Sequence, residues 1–314
     1  MNTIYSTYSL TRSRAGIQLK SGPYSRLGKI VPKTPHFPRI LVTGSNGRLG
    51  RLLRGATLAA KPPLAQVLFA ARSGNSDIPA FDAQSIPSDL PPADMVVGLW
   101  GVTSGSRAEL AQNTDLVSAT NTLARLTGAS RVIHMSSAGV YGPGTDLSEH
   151  SPTKPASDYG HAKMVMEANV AQLEIEGVFH CCLRLANVVG ADSLAPALRA
   201  RNSQPVTLTR FQDGHGPRRS YVSPGHLLEI LCALAQLPAD QLPPLLNVSA
   251  SAPIEMEALA RAAGKDIAWK ARTPADTQTV TLSTHRLAAL LPGVRLHKSA
   301  QDMIHDWQAS EAQA

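Results

Sequence analysis

Aromatic residues make up only 4% of this chain, and no stretch reaches the roughly 18 uninterrupted apolar residues that a membrane span requires. The first scarcity puts any core on Leu, Val, Ile and Ala, as in layers of helices and parallel strands rather than in an aromatic-rich β-sandwich. The second excludes a membrane-spanning helix as partner or anchor. Cysteine is sparse: Cys181, Cys182 and Cys232 have no metal-ligand spacing, so no metal site is expected and the thiols read as buried and reduced. Acidic residues are missing altogether from positions 1–38, which hold Arg12, Arg14, Lys20, Arg26, Lys29 and Lys33.

That last absence accounts for most of the net charge of +7. Six of the 30 basic residues lie in the leader and none of the 23 acidic ones do, so the remainder is close to neutral. A nucleic-acid partner would need a basic surface on the body of the protein, and none is expected. The leader is rich in Ser, Thr, Tyr and Pro without an apolar period, which reads as a disordered basic extension over 1–38. Its composition also suits an organelle transit peptide, while the lack of an apolar segment of roughly 7–15 residues argues against a secretory signal. A cytoplasmic location is expected, with organelle import through residues 1–38 as the alternative.

What is present, at 43% hydrophobic residues over 314 positions, is enough for one large or two modest domains. From Arg39 onward short apolar runs alternate with segments of helical period, the pattern of βαβ units. Ile40-Leu41-Val42 is a strand, and Leu49, Leu52, Leu53 and Ala56 then share one helix face. Further strands are expected at 67–70, 95–99, 131–135, 178–185 and 246–248, with helices over 110–126, 159–172 and 225–236. The fold class is therefore α/β, a Rossmann-type doubly wound parallel sheet over 39–190 with a small C-terminal substrate lobe over 191–314. Parts of 217–250 return to the sheet, and the end of the chain reads as helical.

Between the first strand and the first helix lies Gly44-Ser45-Asn46-Gly47-Arg48-Leu49-Gly50, a G-x-x-G-x-x-G turn. Gly44 suits a sharp turn, Gly47 lets a pyrophosphate approach the backbone, and Gly50 permits close helix packing. The phosphates would lie at the helix N-terminus, where unpaired N–H groups and the positive dipole end favour an anion. Gly44, Asn46, Gly47, Arg48, Leu49 and Gly50 are thus expected to hold a dinucleotide. The second strand ends at Ala71-Arg72-Ser73 with no acid to bind a ribose 2′-hydroxyl, which favours NADP(H) over NAD(H), Arg72 taking the 2′-phosphate. A solvated loop charge is the plainer reading of Arg72.

After the strand at 131–135 come Ser136-Ser137-Ala138 and then Tyr159-Gly160-His161-Ala162-Lys163. A Y-x-x-x-K pair alone carries little weight, but on a helix the two side chains share a face, and both follow the glycine turn. A phenol with an ordinary pKa of about 10 is a poor base near neutrality. Lys163, with the positive charge of an oxidised nicotinamide, would favour the phenolate, so that Tyr159 exchanges a proton with a substrate alcohol while Ser137 holds the same oxygen.

These segments resemble the extended short-chain dehydrogenase/reductases, in particular the NAD-dependent epimerase/dehydratase family that includes UDP-glucose 4-epimerase. The likeness runs over about residues 39–308 and includes Val140-Tyr141-Gly142, the stretch Leu183 to Gly190 and Arg219-Ser220-Tyr221-Val222. It implies that Asp89 and Leu90 lie beside adenine, Leu99 beside the cofactor, Asn113 near the active-site helix, and Asn187 and Arg219 near the diphosphate of a nucleotide sugar. It also implies a homodimer. Trp100 stands where the family usually has a small residue, and Ser223-Pro224-Gly225-His226 replaces a usual acidic pair. The expected activity is reversible hydride transfer at a carbinol or carbonyl carbon, by net redox or epimerisation. A dinucleotide-sensing regulator and a nucleic-acid-binding relative on the same fold are the rivals.

Overall fold

The structure is a computed structural model that describes residues 37–74, 79–200 and 204–314. The expected basic extension therefore lies, through residue 36, outside the described residues. The strands are β1 (Arg39–Val42), β2 (Gln66–Phe69), β3 (Met95–Gly98), β4 (Arg131–Ser137), β5 (Gly144–Leu147), β6 (Phe179–Leu185) and β7 (Asn187–Val188). They continue with β8 (Val206–Arg210), β9 (Arg218–Arg219), β10 (Tyr221–Val222), β11 (Leu245–Val248), β12 (Ile254–Glu255), β13 (Ile267–Ala271) and β14 (Thr279–Leu282). The helices are α1 (Arg48–Ala59), α2 (Arg107–Thr127), α3 (Asp158–Val170), α4 (Ala195–Arg199), α5 (Pro224–Gln236), α6 (Met256–Ala262), α7 (His285–Leu290) and α8 (Ala300–Ala312).

The apolar runs expected to be strands form one six-stranded sheet in the order β11-β6-β4-β3-β1-β2, and every pairing is parallel. A parallel sheet must be covered on both faces. Ile40, Val42, Val97, Ile133 and Leu183 point to one side, where Leu53 of α1 and Leu227, Ile230 and Leu231 of α5 pack on them. Leu41, Val96 and Val132 point to the other, against Leu123 and Ala124 of α2. The chain runs from β1 to β2 on one side and returns to β3 on the other, so the strand order reverses beside β1. That reversal opens the crevice in which ligands of such sheets bind.

Local chemistry fixes the helix ends near the crevice. Ser106 and Glu109 make a reciprocal capping box at the start of α2, and Gly128 closes it in the left-handed conformation at φ 70°. Ser157 caps α3 by accepting from the Gly160 N–H at 3.1 Å, which fixes the helix one residue before Tyr159.

Beyond Gly190 the structure adds short strands, and in the stretch after Val248 that reads as helical it places β12, β13 and β14 among the helices α6, α7 and α8. β8 pairs with β13, β10 with β7, and β9 lies between β12 and β14, with β14 reaching back to β5. Strands of two to five residues with partners far away in sequence have no alternation of their own to read. The last helix also returns to the Rossmann layers: Met303, Ile304 and Trp307 of α8 share a core with Leu52 of α1.

Candidate active site

The glycine turn is positioned by its backbone. Gly44 has φ +67°, a left-handed conformation that other residues adopt at a cost. A Cβ placed there would lie 2.7 Å from the Trp100 nitrogen and 2.8 Å from the Leu99 carbonyl carbon. The turn and the end of β3 thus touch backbone to backbone at the strand-order reversal. Thr43 reinforces this: its Oγ1 accepts from the Leu99 N–H at 3.1 Å. Gly50 packs against the turn itself, since a Cβ there would lie 2.5 Å from the Gly44 oxygen.

A cleft of about 460 Å³ opens above this contact and is lined by Gly44, Asn46, Gly47, Arg72 and Leu99. Asn46 bridges the turn to the end of β2, its Nδ2 donating to the Ser73 carbonyl at 2.8 Å. Arg72 is exposed at the rim and has no ion-pair partner among the described residues. Arg48, Leu49 and Gly50 do not line the cleft: Arg48 is exposed and Leu49 packs on the main core. Asp89 is exposed outside it and Leu90 packs under α2. The acid that lines it is Asp82, next to Phe81 and Ala83. A parallel bridge between Ala71 and Ala80 carries Phe81 and Asp82 to the cleft wall, which spacing alone did not reveal. The indole of Trp100 is held by a hydrogen bond to Thr120 Oγ1 at 2.9 Å and an edge contact with Phe81, so it forms one wall.

Ser137, Tyr159 and Lys163 come together at the carboxyl end of β4. Ser137 is the last residue of that strand, and its Oγ accepts from the Gly139 N–H at 3.1 Å and lies close enough to the Tyr159 phenol to favour its ionised form. Lys163, 4% exposed, donates to Asn113 Oδ1 at 3.1 Å and to the Met135 carbonyl at 2.8 Å, with Nζ 5.9 Å from the centre of the Tyr159 ring. Burial pushes its ammonium down to about 8, against the opposing pull of Cys182 and Glu167. Burial likewise pushes the Tyr159 phenol up, and the Ser137 hydrogen bond opposes it. In the protein alone Tyr159 is thus held in its protonated form.

Asn113, 2% exposed, ties this group to the cleft. It accepts from Lys163 and from the Val102 N–H at 3.2 Å, and its Nδ2 donates to the Val102 carbonyl at 3.0 Å. A Cβ at Gly101, which lines the cleft, would lie 3.3 Å from Lys163 Nζ, so the lysine sits just behind the cleft wall. Through Gly101 and Asn113 the Ser–Tyr–Lys group adjoins the wall of the cleft. The backbone of the turn suits the phosphates of a nicotinamide dinucleotide: Asn46 and Gly47 are exposed where they line the cleft, and Gly44 admits no side chain.

The substrate-side residues are arranged differently. Asn187 begins β7, which pairs with β10, where it lies opposite Tyr221. Arg219 does not extend as an unengaged fork: its guanidinium donates to the carbonyls of Arg218, Gln278 and Thr277 at 2.9, 2.6 and 2.7 Å. Beside them Asp192, missed in the sequence because nothing marks a lone acid after Gly190, is half-buried, with its Oδ2 buried and unpartnered among the described residues. Burial pushes its carboxyl up to about 6. Arg184 is committed to Glu167 at 2.7 Å and lies over the Tyr141 ring.

Residues 40–248 match the NAD dependent epimerase/dehydratase family. Among solved structures, the chain is similar to a NAD-dependent NDP-hexosamine 5,6-dehydratase of tunicamycin biosynthesis, TunA, at 20% identity and a TM-score of 0.69 over 88% of this chain and 99% of that one. It is similar to a UDP-galactose 4-epimerase at 21% identity and a TM-score of 0.65 over 87% and 98%. The Bordetella bronchiseptica enzyme WbmG, in complex with NAD and UDP, aligns at 20% identity and 0.68 over 90% and 96%. At such identities the likeness is one of fold. No curated protein shows significant sequence similarity to the chain.

Proposed function

This chain belongs to the NAD-dependent epimerase/dehydratase family, and on that premise we propose that it acts on a nucleotide-linked sugar, with Ser137, Tyr159 and Lys163 managing the proton at a reacting carbinol. The observation that carries the reading is the convergence of these three side chains, with Lys163 fixed by Asn113 and Met135, at the end of the glycine-walled cleft. When bound, the dinucleotide supplies the hydride donor or acceptor and, in its oxidised form, a positive charge. Tyr159 Oη carries the proton exchanged with the substrate oxygen, and Ser137 Oγ holds that oxygen in line. Lys163 stabilises negative charge on the phenol oxygen.

The reading extends to NADP(H) in preference to NAD(H), supported by the exposed Arg72 at the cleft rim and the lack of an acid beside it at the end of β2. Asn187 and Arg219 take the diphosphate side, Arg219 after releasing main-chain carbonyls. A homodimer would form through the outer faces of α2 and α3, where Arg107 pairs with Asp158 at 2.9 Å and Val165 is exposed. No helix among the described residues is long and apolar enough to cross a membrane.

The test is a screen of nucleotide sugars that follows nicotinamide absorbance and product stereochemistry together, on the wild type and Tyr159→Phe. Turnover of a nucleotide sugar that falls by about 10²- to 10⁴-fold in the variant is the expected result. A changed stereocentre without net absorbance change identifies an epimerase. Undiminished turnover in Tyr159→Phe would overturn the assignment.

A further inference from the structure

Glu167 of α3 stands four residues after Lys163, on the same face of the helix, and is not among the side chains assigned to the proton. Its carboxylate is shared between two strands of the sheet. Oε1 accepts from the Ser136 hydroxyl of β4 at 2.5 Å and from Arg184 Nε of β6 at 3.0 Å, and Oε2 accepts from Arg184 Nη2 at 2.7 Å. Ser136 and Arg184 are partners in the pairing of β4 with β6. Ser136 also lies between Met135, whose carbonyl holds Lys163 Nζ, and Ser137. Glu167 therefore ties the helix of Tyr159 and Lys163 to the strand end of Ser137.

A second tie lies near the start of the helix. The short helical turn 138–140 follows Ser137, and a Cβ at Gly160 of α3 would collide with the Gly139 oxygen on that turn. Tyr141, next in the chain, lies under the Arg184 guanidinium at 4.5 Å and donates from Oη to Asn247 Oδ1 of β11 at 2.7 Å. The helix is thus pinned at Gly160 by backbone contact and at Glu167 by side chains, with Lys163 between the two. A single point of contact sets how closely a helix approaches and leaves it free to roll about its axis. The second point removes that freedom, and a reacting geometry tolerates only about 10–20° of misalignment.

Stability alone does not account for the arrangement. Ser136 is 3% exposed, and the Glu167 and Arg184 side chains are 11% and 6% exposed. Ion pairs buried this deeply are often no more stabilising than well-packed apolar groups of the same volume. What a two-pronged guanidinium on a carboxylate adds is direction, since it fixes angle as well as distance.

We propose that Glu167 is a positioning residue for the reaction, fixing the roll of α3 and with it the placement of Tyr159 and Lys163 against Ser137. The inference rests on the proton role proposed for those three side chains and adds the device that aligns them.

The test replaces the group as a whole, in Ser136→Ala/Glu167→Met/Arg184→Met, so that no charge or hydroxyl of the three is left buried without its partner. Its thermal midpoint is expected within about 5 °C of the wild type. Tyr159 ionisation is followed in the full chain by ultraviolet difference against the Tyr159→Phe counterpart of each protein, without and with NAD⁺ or NADP⁺. Binding of the oxidised dinucleotide should lower the phenol pKa in the wild type, and by at least about one pH unit less in the triple variant. Dinucleotide affinity should stay within about threefold. On the nucleotide sugar found by the screen, kcat should fall about 10- to 100-fold while KM stays within about threefold. If the triple variant does not fold, Ser136→Ala, which keeps the ion pair, decides on the same readouts, with a kcat loss of at least about threefold expected. A phenol response equal to that of the wild type, or an unchanged kcat, would overturn the positioning role alone. A wild-type phenol that ignores the dinucleotide would overturn the proton role with it.

Discussion

The two halves of the proposed site, the glycine-turn cleft and the region around Asn187 and Arg219, are built on different principles. On the cofactor side the geometry is in the backbone: Gly44 against Trp100, the Thr43 hydroxyl on the Leu99 N–H, and Gly50 against the turn. On the substrate side it is in side chains that already have other engagements. Arg219 is spent on three main-chain carbonyls, and the half-buried Asp192 has one buried oxygen unpaired among the described residues. A backbone-built cradle is ready before its ligand arrives. A side-chain-built one must exchange partners, so ligand binding there depends on what the chain gives up.

The Ser–Tyr–Lys group joins the halves, and the largest expected effect is at its most buried member. Lys163→Met removes the ammonium held by Asn113 and Met135 and should lower kcat by about 10²- to 10⁴-fold on the sugar identified by the screen, measured at saturating cofactor. A loss under tenfold would mean that the lysine only supports Asn113. Next comes the cofactor side. Gly44→Ala adds left-handed strain and a methyl group 2.7 Å from the Trp100 nitrogen, and should cost on the order of 2–4 kcal/mol in denaturant unfolding. Gly128→Ala, also at positive φ but with nothing within 4 Å, should cost only about 1–2 kcal/mol. Equal losses at both glycines would refute the claim that close approach, and not conformation alone, builds the cradle.

The same contrast explains what could be read in advance. β1, the turn and α1 were legible because a strand, a glycine turn and a helical apolar period follow one another within about 20 residues. The placement of Ser137 at a strand end and of Tyr159 and Lys163 on one helix was legible for a similar reason. Asp82 was not, because a bridge between Ala71 and Ala80 brings it to the cleft and nothing local announces that pairing. The same holds for β9, β12 and β14, whose partners are tens of residues away. Nor did the sequence show that Lys163 would spend its hydrogen bonds on Asn113 and Met135, leaving the Tyr159 phenol raised by burial.

On the substrate side Asp192 gives a pH-dependent test. Its folded pKa, about 6, lies above the ordinary 3.8, so the folded state binds the proton more tightly than the unfolded chain does. The resulting stabilisation is fully present below about pH 4 and is lost as pH rises through about 6. Asp192→Asn keeps an oxygen for the Ala195 N–H, an acceptor contact of 3.2 Å, but cannot ionise. It should match the wild type at pH 4 and exceed it by about 1–3 kcal/mol at pH 7. A variant no more stable than the wild type at pH 7 would show that the buried carboxylate finds compensation on folding, and the substrate side would then be as settled as the cofactor side.

The smallest effect belongs to Arg72, where the cofactor side itself depends on a side chain. Its guanidinium is exposed, so solvent screens any charge contact it makes, and only a directed fork on a 2′-phosphate would be worth more than a fraction of a kcal/mol. Arg72→Ala should therefore weaken NADP(H) by about tenfold and leave NAD(H) unchanged, read from paired fluorescence titrations. If the wild type prefers NAD(H) and the variant changes nothing, the ribose is read instead by Asp82. That carboxylate lines the cleft with Oδ1 accepting from the Gln84 and Ser85 N–H groups at 2.9 Å, which leaves Oδ2 for a pair of ribose hydroxyls. The two outcomes assign the adenosine end to opposite charges, and Asp82→Asn, tested beside Arg72→Ala, tells which one holds the cofactor.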